Sequence, residues 1–201
     1  MPAANVVYQR TREMSIDELL LENRVVFMVG EINQGSAARV MMQMLYLENL
    51  KRSAEINLYI NSPGGAVDDT LAIYDTMRFI SSPVSTYCLG RAYSGAALLL
   101  AAGAKGRRYV LPHAKVMIHQ PYGGVTGQAE DIRIQAEQII KTKSELNRIF
   151  SLHTGKDPGQ VQKDSERDRY FSASEAVAYG LADEVLAEPP KQASGVSPGV
   201  R

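Results

Sequence analysis

Residues 90–103 read GRAYSGAALLLAAG, a stretch in which one hydroxyl group, that of Ser94, lies among small residues directly before an apolar run. The glycines and the leucine- and alanine-rich run predict that a strand ends here and a helix begins. A serine at such a junction lies beside backbone N–H groups that have no partner within the helix. Ser94 is therefore a candidate nucleophile. The competing interpretation is an ordinary N-cap, whose hydroxyl accepts a hydrogen bond from an N–H two or three residues later.

The composition indicates one soluble domain. The chain has 201 residues, 45% of them apolar, which suits one well-buried domain and is too short for two ordinary ones. Its 22 basic and 22 acidic residues balance, so no general charge favours nucleic acid or an anionic membrane. The single cysteine, Cys88, excludes an internal disulfide and is expected in the core. Without a long apolar run or a signal-peptide pattern, we expect a cytoplasmic protein with no membrane segment.

Strand-like and helix-like segments alternate along the first half of the chain. Strands are predicted at residues 24–30, 56–60 and 84–89, and helices at 37–50, at 66–80 and from Ser94 onward. This alternation, with glycine-containing turns, predicts parallel strands joined by right-handed crossovers in an α/β domain. Two short strands are predicted at 108–111 and 115–119, followed by a glycine-rich loop over 120–127.

Residues 128–153 predict the longest helix. At 1.5 Å per residue this helix spans about 40 Å, more than the domain needs to cover its own sheet. We expect part of it to project and bury against another subunit; the alternative is a helix lying wholly on its own sheet.

The remaining segments complete the predicted organisation, with one domain over residues 15–186. Capping boxes at Ser15 and Ser172 predict two short helices, the second ending at Gly180. Residues 154–171 are predicted to be irregular. Residues 1–14 are expected to form a mobile arm and residues 187–201 a disordered tail.

A serine nucleophile needs a base, and the chain has three histidines. His119 follows an apolar strand directly before the glycine loop, where its side chain can point out of the carboxyl edge of a sheet. His113 lies in a predicted turn, and His153 ends the long helix, where a histidine interacts favourably with the helix dipole. His119 is the best candidate base, although a histidine bonded within the core is the competing interpretation.

The base in turn needs a carboxylate that fixes its tautomer and stabilises the imidazolium. Asp164 and Asp168 both lie in the segment predicted to be irregular, where a loop can approach the site. Composition alone does not distinguish Asp164 from Asp168 as the carboxylate. Either could instead be solvated or paired with Arg167.

Backbone donors for an oxyanion are expected in the segment NSPGG, residues 61–65, because glycine has no Cβ to block a substrate. Gly65 and the residue after the candidate nucleophile, Gly95, are the natural pair. A plain tight turn between strand and helix is the alternative.

Several motifs together resemble the proteolytic subunit family of the Clp protease. They are NSPGG at 61–65, Ser94 ahead of LLLAAGAKGRRYVLP, MIHQP at 117–121 followed by GG and GQA, and ERDRYFSASEAVAYGL at 166–181. The resemblance covers about residues 24–186. It implies a crotonase-like fold, a spiral of β-β-α units with a projecting handle helix. It also implies a serine endopeptidase in which Ser94 is the nucleophile, His119 the general base and acid, and Asp168 the third member.

The resemblance further implies an assembly and partners. Two stacked heptameric rings, of this chain alone or mixed with a paralogue, would enclose a chamber in which unfolded proteins are cut into short peptides. The arm would line the axial pore. An AAA+ ATPase would feed the chamber and bind the ATP, and no metal or cofactor is expected here.

The resemblance also assigns binding residues. Glu166 and Arg167 would make contacts between the rings. Pro121, Gly123 and Gly124 would pair with substrate as an added strand. A pocket for the ATPase is implied at Tyr59, Phe79, Tyr87, Leu89, Tyr109 and Leu186.

Four residues depart from the family pattern. Methionine and then glycine usually follow the nucleophile, whereas this chain has Gly95 and Ala96. Tyr93 precedes it where alanine is common, and Asn57 stands where the docking pocket usually has an aromatic residue. These departures suggest a divergent paralogue with an altered substrate pocket.

Two other functions are weighed against the peptidase. An acyl-CoA enzyme on the same fold would use paired backbone N–H groups on a thioester enolate, and would not need Ser94, His119 and Asp168 together. A structural ring subunit with little activity would assemble but would not react with a serine-directed probe.

Overall fold

The computed structural model describes residues 13–121, 124 and 126–187. Within these residues the chain forms one mixed sheet. Its strands are β1 Val25–Val29, β2 Ile56–Ser62, β3 Val84–Tyr93, β4 Arg108–Val110, β5 Lys115–Ile118, β6 Arg169–Phe171 and β7 Glu184–Val185. The strand order is β1-β2-β3-β4-β7, all parallel. Most of the predicted arm and tail, residues 1–12 and 188–201, lies outside the described residues.

The long strand β3 pairs with two different strands along its length. Its residues 86–88 pair with β4, whereas residues 91–93 pair in parallel with β5. Gly90 lies between the two halves with a φ of 72°, a backbone conformation that favours glycine. β5 then pairs antiparallel with β6. The second half of β3 therefore carries Ser94 away from the main sheet toward β5 and β6.

The helices alternate with the parallel strands as the sequence predicts. They are α1 Ile16–Glu22, α2 Gln34–Leu50, α3 Val67–Phe79, α4 Gly95–Ala101, α5 Ala129–Thr154, α6 Pro158–Asp164 and α7 Ala173–Tyr179. The prediction of an α/β domain with parallel crossovers is confirmed. Both capping boxes form, and Gly180 ends α7 in the left-handed region with a φ of 97°.

Helix α4, directly after Ser94, lies at the centre of the core. Residues 96–101 are each at most 1% exposed. The helix contacts β3 on one side and α3 and α5 on others. Full burial on all sides fixes the position of a helix, because any shift would break close packing. The serine at its start is therefore held on a rigid element.

Two predictions about secondary structure are wrong. Helix α2 begins at Gln34 rather than at residue 37, because the side chain of Asn33 accepts hydrogen bonds from Gly35 and Ser36 N–H. Residues 154–171 are not irregular: they form α6 and β6. Helix α6 begins with an Asp157 N-cap and Pro158 at its first position, a recognisable start signal.

Helix α5 contains 26 residues and is buried only near its end. Its first ten residues, 129–138, are all exposed, whereas Asn147, Ile149 and Phe150 are buried. Ile132, Ile134 and Ile140 are exposed apolar residues on this helix. The first part of α5 thus extends beyond the core that its last two turns cover.

A single buried arginine ties the C-terminal ends of three helices together. The guanidinium of Arg108 donates hydrogen bonds to the carbonyls of Ala101, His153 and Gly180, at 3.1, 3.0 and 2.9 Å. These carbonyls lie at the ends of α4, α5 and α7, where helices leave acceptors unsatisfied. Arg108 also binds Asp183 through Nε at 2.9 Å and Nη2 at 2.6 Å.

Cys88 lies in the core, as the sequence predicts. Cys88 is fully buried, and burial raises the pKa of its thiol to about 12, so it is an inert core residue. Among the described helices, none has the length and apolarity needed to cross a bilayer.

Candidate active site

Ser94 lies in a strained turn between β3 and α4. Its φ of 55° and ψ of −123° put it in a region that residues with a side chain rarely adopt. Its N–H donates to the carbonyl of Met117 on β5 at 2.8 Å. The side chain makes no capping hydrogen bond, so Ser94 is not the ordinary N-cap of the competing interpretation. The turn instead presents its hydroxyl away from the helix.

The hydroxyl of Ser94 points to His119, and His119 points to Asp168. Ser94 Oγ lies 2.8 Å from His119 Nε2, and His119 Nδ1 lies 3.1 Å from Asp168 Oδ1. The ladder between β5 and β6 explains this placement, since Ile118 is opposite Arg169 and His119 and Asp168 are the residues directly beyond that pair. The side chain of His119 is 15% exposed, and that of Asp168 is 55% exposed. One nitrogen of the imidazole thus contacts the serine hydroxyl, and the other contacts the aspartate carboxylate.

The structure separates the two candidate aspartates. Asp164 ends α6 and accepts a hydrogen bond from the Tyr179 hydroxyl at 2.9 Å. It also forms an ion pair with Arg169 rather than with Arg167. With its side chain only 10% exposed, Asp164 belongs to the packing of α6 and α7. Asp168 is the carboxylate that reaches the imidazole.

The other two histidines lie elsewhere. His113 is exposed in its turn. His153 Nε2 lies 3.1 Å from the Tyr74 hydroxyl. Burial, together with the charges of Arg78 and Arg108, lowers the pKa of His153 to about 4. His153 is therefore neutral near pH 7, so it does not act as the cation that the helix dipole would favour.

The NSPGG segment packs its backbone against the serine turn. A Cβ on Gly64 would lie 2.6 Å from the Tyr93 carbonyl and 2.7 Å from Ser94 Cβ. A Cβ on Gly65 would lie 2.0 Å from the Ile32 carbonyl oxygen. Ile32 N–H donates to the Gly64 carbonyl and Ala66 N–H to the Ile32 carbonyl, so the N–H of Gly65 points away from Ile32. The two glycines are therefore required by close approach, not only by a tight turn.

A narrow pocket opens beside the serine. Ser94, Gly65, Gly95 and His119 line its mouth, and its walls include the apolar side chains of Val67, Leu98, Leu146 and Phe150. Pro121, which was expected to contact substrate, also lines it. The Ser94 hydroxyl, backbone glycines and an apolar cleft thus lie together.

Known protein sequences show which family has this arrangement of residues. A sequence profile of the Clp protease family matches residues 8–189. The chain belongs to the Clp protease family. It is similar to the ATP-dependent Clp protease proteolytic subunit 1 of Rhodopirellula baltica, with 53% identity over 183 residues, which are 91% of this chain and 81% of the relative. The crotonase-like fold and the serine endopeptidase activity implied by the Clp protease resemblance are thereby confirmed.

Four stacked aromatic rings cross the main sheet of this Clp protease subunit. Phe27, Tyr59, Tyr87 and Tyr109 come from β1 to β4 in register, with ring centroids 5.4, 4.5 and 4.9 Å apart. We call these four residues the aromatic row. Sequence reasoning missed Phe27, although it lies at the middle of β1 opposite Tyr59. Burial raises the pKa of Tyr87 to about 12.

The other residues expected in the ATPase pocket lie at varied positions. Leu89 is half-buried on β3, two residues after Tyr87 and thus on the same face. Leu186 follows β7, and its N–H donates to Val110. Phe79 is the last residue of α3 and is 84% exposed.

Two departures from the family pattern have local partners. Asn57 accepts a hydrogen bond from the Tyr87 hydroxyl at 3.1 Å, so it joins the aromatic row through a polar contact. Tyr93 packs edge-to-face against Tyr170 of β6, with ring centroids 5.6 Å apart.

Gln120 connects three parts of the site and was missed by sequence reasoning. Its N–H donates to the Ser165 carbonyl at 2.6 Å, and its side-chain amide donates to the Glu166 carbonyl at 3.0 Å. Its amide oxygen accepts from Lys143 of α5 at 2.8 Å. These bonds tie α5 to the segment just before Asp168.

The remaining predicted residues are exposed or lie outside the described part of the chain. Glu166 and Arg167 are exposed beside Asp168. Gly124 is exposed, and Gly123 lies outside the described residues.

Proposed function

We propose that this chain hydrolyses peptide bonds through Ser94, His119 and Asp168. The observation that carries the proposal is the unbroken line of polar contacts, 2.8 Å from Ser94 Oγ to His119 Nε2 and 3.1 Å from His119 Nδ1 to Asp168 Oδ1. Ser94 Oγ attacks the scissile carbonyl while His119 Nε2 takes its proton, and the same nitrogen later protonates the leaving amine. Asp168 accepts the Nδ1–H and stabilises the imidazolium.

The tetrahedral oxyanion is assigned to the N–H groups of Gly65 and Gly95. Gly95 begins α4, so its N–H has no acceptor within that helix. The N–H of Gly65 points away from Ile32, and both glycines line the pocket that holds Ser94. Backbone donors fixed in this way stabilise the negative charge that develops during attack.

Substrate is expected to bind as an extended strand along residues 121–124. Pro121 lines the pocket directly after His119, and Gly124 is exposed beyond it. An extended peptide that binds as an added strand is held by its backbone, so many sequences are accepted. This suits unfolded polypeptides as the substrate class.

The assembly is proposed to be two stacked heptameric rings, homomeric or mixed with a paralogue, with the active sites inside. The exposed apolar residues Ile132 and Ile140 on the first part of α5 support burial of this helix against another subunit. Glu166 and Arg167 are exposed next to Asp168, and Gln120 links the Glu166 carbonyl to Lys143 of α5. Contacts between rings would thus bear directly on the placement of Asp168.

The partner is proposed to be an AAA+ unfoldase of the Clp type, which supplies the ATP hydrolysis. The relative from Rhodopirellula baltica is named as ATP-dependent. The aromatic row offers an apolar surface, in which Phe27 is 39% exposed, for a loop of that partner. We place this complex in the cytoplasm.

Replacing each of the two aspartates in turn by asparagine tests the catalytic assignment. Asp168→Asn is expected to lower kcat by about 10⁴-fold, because an amide favours the wrong imidazole tautomer while leaving the geometry intact. Asp164→Asn is the matched control: it breaks the pair with Arg169 and should lower thermal stability while changing kcat far less. Initial rates on a fluorogenic peptide and melting curves measure both. Equal losses of kcat in the two variants would contradict the assignment.

The ring contact is tested separately with Arg167→Ala. Loss of a charged contact between rings is expected to convert double rings into single rings, observed as a halved mass in sedimentation velocity. Peptidase activity should fall with it, because the segment 165–168 would lose its support. Unchanged double rings would rule out this role for Arg167.

A further inference from the structure

Thr70 faces the residue that follows the nucleophile. A Cβ added to Gly95 would lie 2.3 Å from Thr70 Oγ1, 3.0 Å from its Cγ2 and 3.2 Å from its Cβ. Such a contact to Oγ1 is closer than real Cβ atoms approach. The side chain of Thr70 therefore occupies the space into which any side chain at residue 95 would extend.

Thr70 cannot easily move out of this space. It is 1% exposed, and its Oγ1 donates to the Ala66 carbonyl one turn earlier in the chain at 2.9 Å. A β-branched side chain within a helix has few alternative rotamers. Gly95 itself lies outside the left-handed region, so its backbone would accept alanine. The three atoms nearest to such a side chain all belong to Thr70.

Thr70 also lines the pocket beside Ser94. Val67 and Thr70 contribute from α3, Leu98 from α4 and Phe150 from α5. The free volume of the pocket is about 30 Å³. This is a small cavity, so a small group fits it better than a large one. Thr70 thus contacts both the residue after the nucleophile and the space beside it.

We propose that Thr70 is a specificity-determining residue: it restricts the side chain before the scissile bond to small apolar groups such as that of alanine. The inference rests on the proposed role of Ser94 as nucleophile. Because Thr70 fills the place of a side chain at residue 95, threonine on α3 and glycine after the serine form a matched pair. Beside Gly95 the wall of the pocket is formed by Thr70 of α3 and not by a side chain at residue 95 of α4.

The first test compares peptidyl-coumarin substrates that differ only in alanine, leucine or phenylalanine before the scissile bond. Thr70→Ala is expected to raise the kcat/KM ratio of leucine to alanine substrates at least about tenfold, because it removes a hydroxyl and a methyl group, and even one methylene changes selectivity by that order. Thr76→Ala is the matched control, since Thr76 makes the same bond to Ala72 on the same helix. Thr70→Ser, which keeps the hydroxyl, should give an intermediate ratio.

The second test is a double-mutant cycle between the two residues. Gly95→Ala alone is expected to lower kcat/KM on the alanine substrate at least about tenfold, because the new methyl group clashes with Thr70 and displaces Ser94 and the N–H of residue 95. In the Thr70→Ala background the same change should cost little. Equal effects in both backgrounds, or a substrate ratio unchanged in Thr70→Ala, would overturn the inference.

Labelling with a fluorophosphonate separates this inference from the proposed function. Labelled wild-type protein with unaltered selectivity in Thr70→Ala rejects only the role of Thr70. Wild-type protein that takes up no label rejects the nucleophile assignment, and the role of Thr70 with it.

Discussion

Ser94→Ala is expected to abolish peptide hydrolysis, with kcat falling by about 10⁶-fold, the size of loss that follows removal of a protease serine nucleophile. The substitution removes the attacking oxygen, and it leaves His119 Nε2 without the hydroxyl that lies 2.8 Å from it. Backbone donors and substrate binding remain, so the residual rate should still exceed that in water. Initial rates on a fluorogenic peptide measure the effect.

A matched serine variant shows that the loss is chemical rather than structural. Ser174 is exposed on α7, and Ser174→Ala should keep wild-type rates. Ser94→Ala should retain the native mass and melting temperature of the wild type. Alanine and serine each carry one Cβ, so the positive φ of residue 94 costs both about the same. Substantial hydrolysis by pure Ser94→Ala protein would contradict the role of this residue.

Arg108→Met is expected to cost about 3–5 kcal/mol of folding free energy, as removal of one partner of a buried ion pair does. The change leaves Asp183 unpaired and removes the donor shared by the carbonyls of Ala101, His153 and Gly180. Burial acts to raise the pKa of Asp183, but its hydrogen bonds to Arg108 outweigh this and hold the pKa below its ordinary value. Urea unfolding at fixed protein concentration measures the loss.

The neighbouring arginine is the control. Arg107 lies 3.4 Å from Glu55, and their side chains are 45% and 43% exposed. An exposed pair is worth at most about 1 kcal/mol, so Arg107→Met should leave the unfolding midpoint nearly unchanged. Adding Asp183→Leu to Arg108→Met should recover part of the loss by removing the unpaired carboxylate. Equal midpoints for Arg107→Met and Arg108→Met would contradict the role of Arg108.

The sequence predicts those parts of the fold whose signals are local. The capping boxes at Ser15 and Ser172 and the glycine at 180 mark helix ends through side chains only a few residues apart, and the structure has them all. The start of α6 carries an equally local signal in Asp157 and Pro158, so its prediction as irregular was avoidable. The strand β6 has no such signal, because three residues become a strand only by pairing with β5.

The residues of the site also divide into those that local signals predict and those that only long-range contacts place. The glycine turn and the strand-to-helix junction place Ser94 and Gly65 from sequence alone. The choice between Asp164 and Asp168 depends on the antiparallel register of β5 and β6, a contact 49 residues apart in sequence for His119 and Asp168. Thr70 was not predicted at all, because only packing of α3 against α4 brings it to Gly95.

The central claim is that Ser94 is the reacting nucleophile, and mapping of a covalent adduct tests it most directly. Wild-type protein is treated with a fluorophosphonate, digested and examined by tandem mass spectrometry. The adduct is expected on Ser94 alone, at one label per chain, and is expected to be lost in His119→Ala. An adduct on another residue, or none on folded protein of native mass, would contradict the account.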